Sequence, residues 1–240
     1  MHSSALINLN QFFTVYLKKF DKPKILDFGS QSLADHQSAK TILEKNFSKF
    51  SYVGADIAKG QNVDLVLKDP YNIKELDSNS FDIVVCTSTF EHIEFFWLTY
   101  LEIIRVLKPR GIFYFNAPSN GDFHRWSKDC WRFYPDSGNA LVNWAKKNNF
   151  NSLQLEAYTS KQILENGWSD YVSIVLKDSQ YLNEFNDRVI FNYNNFLNGI
   201  DHDGKLYNFS NKTEDHKNWG YRLWYKLRKK LDKRKWKKNF

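Results

Sequence analysis

A doubly wound α/β fold, a mostly parallel sheet with helices on both faces and an antiparallel last strand, is what this chain predicts. Three observations carry that reading. Short apolar strands alternate with helical stretches from residue 24 to about 148, the order that builds a parallel sheet. Phe81, Ile83, Val84, Val85 and Cys86 make a β-branched, apolar run of the kind buried on both faces. The last two strands are joined by a short connection (159–170), too tight for a regular right-handed crossover, so antiparallel pairing is expected.

Helical spacing of Leu6, Leu9, Phe12, Phe13, Tyr16 and Leu17 predicts an N-terminal helix packed on the body. Strands follow at 25–27, 52–56, 64–67, 81–86 and 111–115, with helices at 35–46 and 95–107. The second helix stops at the turn signal of Lys108, Pro109, Arg110 and Gly111. An aromatic loop (119–134), a helix (136–148) and strands at 153–158 and 171–177 complete the pattern. Beyond 177 an Asn-, Tyr- and Phe-rich stretch reads as a loosely helical appendage or substrate cap. The expected division is an N-terminal helix (1–20), a central domain (21–177), the cap or appendage (178–216) and a basic tail (217–240).

Hydrophobic residues make up 42% of the 240-residue chain, as in ordinary globular proteins, and no apolar run approaches a membrane span. The first twenty residues lack a signal-peptide layout. Cys86 and Cys130 form neither a disulfide framework nor a metal pair, so a reducing cytoplasm is expected and no metal is. The net charge of +7 is unevenly placed: residues 217–240 hold eleven Lys and Arg against Asp232 alone. Trp224, Leu227 and Leu231 share one helical face there, with basic residues elsewhere. That pattern suits an anionic membrane surface, and electrostatic binding of RNA or a solvated end stay open. Asp201, His202 and Asp203 echo the acidic pair of nucleotide-sugar transferases, without support from the rest of the chain.

The first strand delivers Asp27 to its C-terminal end, Gly29 allows a sharp turn, and the second strand ends in Asp56. A carboxylate there can accept both hydroxyls of a ribose at the carboxyl edge of the sheet. Gln31 and Ser32 stand where a diphosphate-binding loop would carry further glycines, so a nucleoside without phosphates fits better, S-adenosylmethionine being the commonest such cofactor.

Together, segments 25–30, 53–56, 81–92 and 106–111 resemble the class I S-adenosylmethionine-dependent methyltransferases, Rossmann-like enzymes, in the small-molecule branch with Glu-His after the fourth strand. Residues 116–121, His124 and 130–136 resemble a bacterial subgroup associated with glycan and surface-polysaccharide clusters. The family loop usually has three glycines, and only Gly29 remains here. The resemblance implies that Asp27, Gly29 and Ser30 serve the methionine end. Asp56 and Ile57 would serve the ribose, Asp69 and Pro70 the adenine, and Thr87 the end of the fourth strand. It implies methyl transfer to a small-molecule or glycan acceptor, most simply a hydroxyl of a saccharide or lipid-linked saccharide.

His124, in the loop over the sheet's carboxyl edge, is the first choice of base, and His92 the second; Asp122, Asp129 or no base are the alternatives. Glu91, Arg125, Trp126, Trp131 and Arg132 are expected to meet the acceptor, aromatic faces stacking and guanidinium groups gripping anions; the aromatics also suit a lid that shuts out water. An RNA methyltransferase using the tail and a non-catalytic binding module with a degenerate loop remain as alternative functions. An NAD-dependent oxidoreductase ranks below both.

Overall fold

The computed structural model describes residues 2–32, 37–125, 127–162 and 167–211. One compact unit extends to Phe209; the unit beginning at Ser210 lies almost wholly outside the described residues, and the basic tail with it. Five parallel strands form first: β1 (Lys24–Phe28), β2 (Ser51–Asp56), β3 (Leu65–Val66), β4 (Phe81–Thr87) and β5 (Leu107–Pro118). β6 (Leu153–Ser160) and β7 (Asp170–Leu176) follow, β7 running antiparallel between β5 and β6. The sheet order is β3-β2-β1-β4-β5-β7-β6, continued by β8 (Phe196–Asp201) and β9 (Leu206–Tyr207). The mixed Rossmann-like sheet and its antiparallel late strand are as the sequence implied.

Alternation along each strand sorts the core into two layers. Val84, Cys86, Phe113 and Phe115 face α3 (Phe96–Val106) and α4 (Ser137–Lys147). Ile83, Val85, Ile112 and Tyr114 face α1 (Ser3–Tyr16), α2 (Ala39–Asn46) and α5 (Val189–Asn192). Ser38 caps α2 through a reciprocal box with Thr41. α1 is tied down by a buried polar knot. Tyr16 donates to Glu156 Oε1 at 2.6 Å, and the same carboxylate accepts the backbone N–H groups of Val189 and Ile190 at 2.8 and 3.0 Å. Arg188, also buried, donates to the Leu155 carbonyl at 2.9 Å.

Two features differ from expectation. The turn at Lys108–Gly111 lies inside β5, as a bulge: register against β4 slips between Phe81 and Ile83, and Lys108 Nζ bonds the Asp82 carboxylate at 2.8 and 2.9 Å. The stretch after 177 is not mainly helical. Its β8–β9 hairpin extends the sheet at the edge opposite β3. Asp201 closes that hairpin, accepting from the backbone of Asp203 and Lys205 and from the Tyr207 hydroxyl. Asparagine-rich edge strands show little β signal, since an edge needs pairing on one side only. Among the described residues no helix is long and apolar enough to cross a membrane.

Candidate functional site

A cavity of about 370 Å³ opens at the carboxyl ends of β1, β2 and β4, a size typical of small-molecule sites. Phe28 and Gly29 wall it from β1, Asp56 and Ile57 from β2, Pro70 and Tyr71 from beyond β3, and Thr89 and His92 from beyond β4. Gly29 has φ +80°, and a Cβ there would lie 2.2 Å from Thr89 Oγ1, so both backbone and space demand glycine. The Gln31 N–H donates to Asp56 Oδ2 at 3.1 Å and the Ala58 N–H to Oδ1 at 3.2 Å, which aims the carboxylate at the cavity wall. The Gln31 side chain reaches across to the Lys59 carbonyl at 3.0 Å. The loop that lacks glycines is therefore stapled to the loop after β2, and the cavity stays open beside it. Ile57 is 61% exposed, an apolar face turned out at the rim.

Asp27, Ser30 and Thr87 lie buried beneath the cavity rather than on its wall. Asp27 accepts the Tyr52 hydroxyl at 2.7 Å. Burial lifts its pKa to about 6; the Tyr52 bond opposes the rise and the charge of Asp56 adds to it. Asp69 does not frame the pocket: its exposed carboxylate accepts the Tyr71 N–H at 2.8 Å, the Asx turn that an Asp-Pro pair favours. Pro70 and Tyr71 take its place in the wall.

A short 3₁₀ turn (Phe90–His92) follows β4. Phe90 anchors it, fully buried among Phe96, Phe113 and Phe115. That anchor turns Glu91 inward, where both carboxylate oxygens are buried without hydrogen-bond partners, and turns His92 toward the cavity. Burial pushes the Glu91 pKa up to about 8. Burial lowers that of His92. The Lys128 carbonyl lies 2.5 Å from His92 Nδ1; a carbonyl can only accept, so the proton sits on Nδ1 and Nε2 keeps its lone pair, 3.7 Å from Glu91 Oε1.

His124 stands edge-on to His92, ring centroids 5.2 Å apart. Its Nδ1 faces the Asp122 carbonyl at 3.2 Å and the Asp129 carboxylate at 3.5 Å. No hydrogen bond engages its Nε2 among the described residues. Arg132 and the His124 N–H hold Asp129 ionised, pulling its pKa down to about 2. The fold thus assembles Glu91, His92 and His124, one ligand-type atom of each lying within 4.8 Å of the others. Residue spacing alone does not announce this cluster, because its third member comes from a separate loop.

Other expectations for the aromatic loop change. Arg132 makes two bonds to Asp129, at 2.6 and 2.9 Å, and is not free to grip a ligand. Trp131 donates to the Ile93 carbonyl at 3.0 Å and packs edge-on against Phe96 and Trp97, away from the cofactor cavity. Arg125 is exposed, over the Phe123 ring at 5.4 Å. Trp126 lies outside the described residues. Gln31 and Thr89, not named as cofactor contacts from sequence, line the cavity, as does Tyr71, the end of the segment (68–71) that the resemblance sets at the adenine; Gln31 left a signal, as the bulky residue in the glycine position, and Thr89 left none.

Residues 31–115 match a family model described as a methyltransferase domain. No curated protein matches the chain in sequence. Among solved structures, the fold resembles the Burkholderia thailandensis 1,6-didemethyltoxoflavin-N1-methyltransferase with bound S-adenosylhomocysteine. Identity is 13%, coverage 73% of this chain and 79% of that one, and the TM-score 0.51. It also resembles the CurJ carbon methyltransferase at 10% identity, covering 74% and 56% of the two chains with a TM-score of 0.53. The [4+2]-cyclase SpnF is similar too, at 12% identity, 72% and 81% coverage and a TM-score of 0.52. At these identities the likeness is one of fold. The matched segment, less than half of the chain, supplies most of the cavity wall described above. Over that segment the chain carries a methyltransferase domain of the kind that uses S-adenosylmethionine as cofactor. The cavity wall has the chemistry that such a cofactor calls for, a carboxylate at Asp56 and apolar side chains at Ile57, Leu67, Pro70 and Tyr71.

Proposed function

We propose that the enzyme methylates a hydroxyl of a polar small molecule, a saccharide or lipid-linked saccharide, with His124 as the base. The observation that carries this is the orientation of His124. Its Nδ1–H faces the Asp122 carbonyl and an ionised Asp129, which leaves the Nε2 lone pair for an incoming proton beside a histidine of the cavity wall. Asp129 then stabilises the imidazolium as it forms, and Arg132 positions Asp129. Asp56 and Gly29 would place the cofactor. His124 would take the hydroxyl proton of the acceptor as the oxygen gains the methyl group, and the cofactor would leave as S-adenosylhomocysteine. The sulfonium supplies the activated methyl, and alignment is the protein's main task.

The saccharide reading is supported by the sequence resemblance over 116–136 and by Phe123, 71% exposed under Arg125, a flat face of the kind that stacks on sugars. Residues 217–240 are read as a basic surface anchor that brings the enzyme to lipid-linked acceptors at the inner face of the membrane. The test is S-adenosylhomocysteine release with a panel of saccharide acceptors. His124→Ala is expected to lower kcat about 10²–10⁴-fold with cofactor affinity intact. A variant with undiminished kcat would remove His124 from the mechanism.

A further inference from the structure

We propose that Glu91, His92 and His124 form a binding site for one divalent transition-metal ion of the zinc type. The three residues each offer a ligand atom within 4.8 Å of the others. Two histidines and one carboxylate are a recurrent donor set for such ions, and imidazole nitrogen selects them over magnesium or calcium.

Two independent observations point to a ligand. Glu91 is fully buried, yet neither carboxylate oxygen has a hydrogen-bond partner, and Oε1 lies 3.7 Å from His92 Nε2. A buried carboxyl group with no hydrogen-bond partner is costly in either protonation state, and a cation facing its oxygens would remove that cost. Both histidines, moreover, already have the outer partners that metal-bound imidazoles use: Nδ1 of His92 meets the Lys128 carbonyl, and Nδ1 of His124 meets the Asp122 carbonyl and the Asp129 carboxylate. Those partners fix the tautomer that leaves each Nε2 lone pair available. Ligand atoms around a zinc ion with bonds of about 2.1 Å lie about 3.4 Å apart, so small side-chain rotations close the set.

The other group of this kind among the described residues, Asp201, His202 and Asp203, is a poor rival. Asp201 there spends its oxygens on the Asp203 and Lys205 backbone and on Tyr207.

An ion at Glu91, His92 and His124 sits beside the cofactor cavity, since His92 is part of its wall. Its role rests on the methyl-transfer reading; its binding does not. When bound, the ion would polarise the acceptor oxygen as a Lewis acid, and His124, its Nε2 then a ligand, would not serve as the base in that form of the enzyme.

The test uses the full chain, stripped with chelator, titrated calorimetrically with Zn²⁺ and followed with Co²⁺ by visible absorption. One equivalent is expected to bind, with a tetrahedral or five-coordinate cobalt spectrum. Affinity should fall at least tenfold in Glu91→Gln and His124→Ala, and remain in His202→Ala and Cys130→Ser. No stoichiometric binding, or binding that Glu91→Gln leaves unchanged, would overturn the site. Circular dichroism and S-adenosylhomocysteine affinity are read on the same samples. Metal loss with intact cofactor binding then counts against the metal site alone, and metal binding without cofactor binding counts against the methyl-transfer reading alone.

Discussion

Single residues carry the cofactor pocket. At Gly29 positive φ and the closeness of Thr89 act together, so Gly29→Ala should abolish S-adenosylhomocysteine binding and lower the melting temperature. Wild-type affinity in that variant would mean that the turn relaxes freely. Asp27 gives a pH prediction. Its carboxyl has a pKa near 6 in the folded protein against 3.8 ordinarily, so the folded state binds the extra proton. The stability tied to that proton is present below pH 3.8 and is lost as pH rises through 6, with a slope of at most about 1.4 kcal/mol per pH unit. Asp27→Asn should flatten denaturant-measured stability across that window; an unchanged slope would assign it to another group. Gly29 and Asp56 were legible as cavity residues because strand ends and glycines have fixed positions in this kind of sheet, whereas Asp27, expected at the methionine end, lies beneath the cavity wall. Asp69 was misread because a carboxylate before proline serves its own turn as readily as a ligand. Arg132 was misread because its partner Asp129 lies one helical turn away in a loop with no helix.

At the scale of elements, β1, β2, β4 and the pair β6–β7 follow from apolar runs and connection lengths. The bulge at the start of β5 was read as a turn, since a strand that slips register carries the same Pro and Gly signals as one that ends. β8 and β9 were not read at all. The tie of α1 to the sheet is a long-range feature that no local pattern announces: Tyr16 meets Glu156 only after both layers have folded. Tyr16→Phe leaves that buried carboxylate without one donor and should cost about 1–3 kcal/mol in urea unfolding. A loss below a few tenths would show that α1 is held by apolar packing alone.

For the molecule as a whole, the sheet order places the cofactor cavity over β1, β2 and β4 and the histidine cluster beside it, while β8 and β9 lie at the far edge. Charge is arranged on the same scale. The body carries a small negative balance, and the positive charge of residues 217–240 exceeds that of the whole chain. Deleting 217–240 should reduce binding to anionic vesicles and leave S-adenosylhomocysteine affinity unchanged; equal vesicle binding would remove the anchor reading.

The most direct measurement is calorimetric titration of S-adenosylmethionine and S-adenosylhomocysteine into the wild type and Asp56→Ala. The account predicts micromolar binding to the wild type and at least a tenfold loss in the variant, about 1.4 kcal/mol. A folded wild type that binds neither compound would contradict it, and would show that the Gln31 staple closes the pocket to the cofactor.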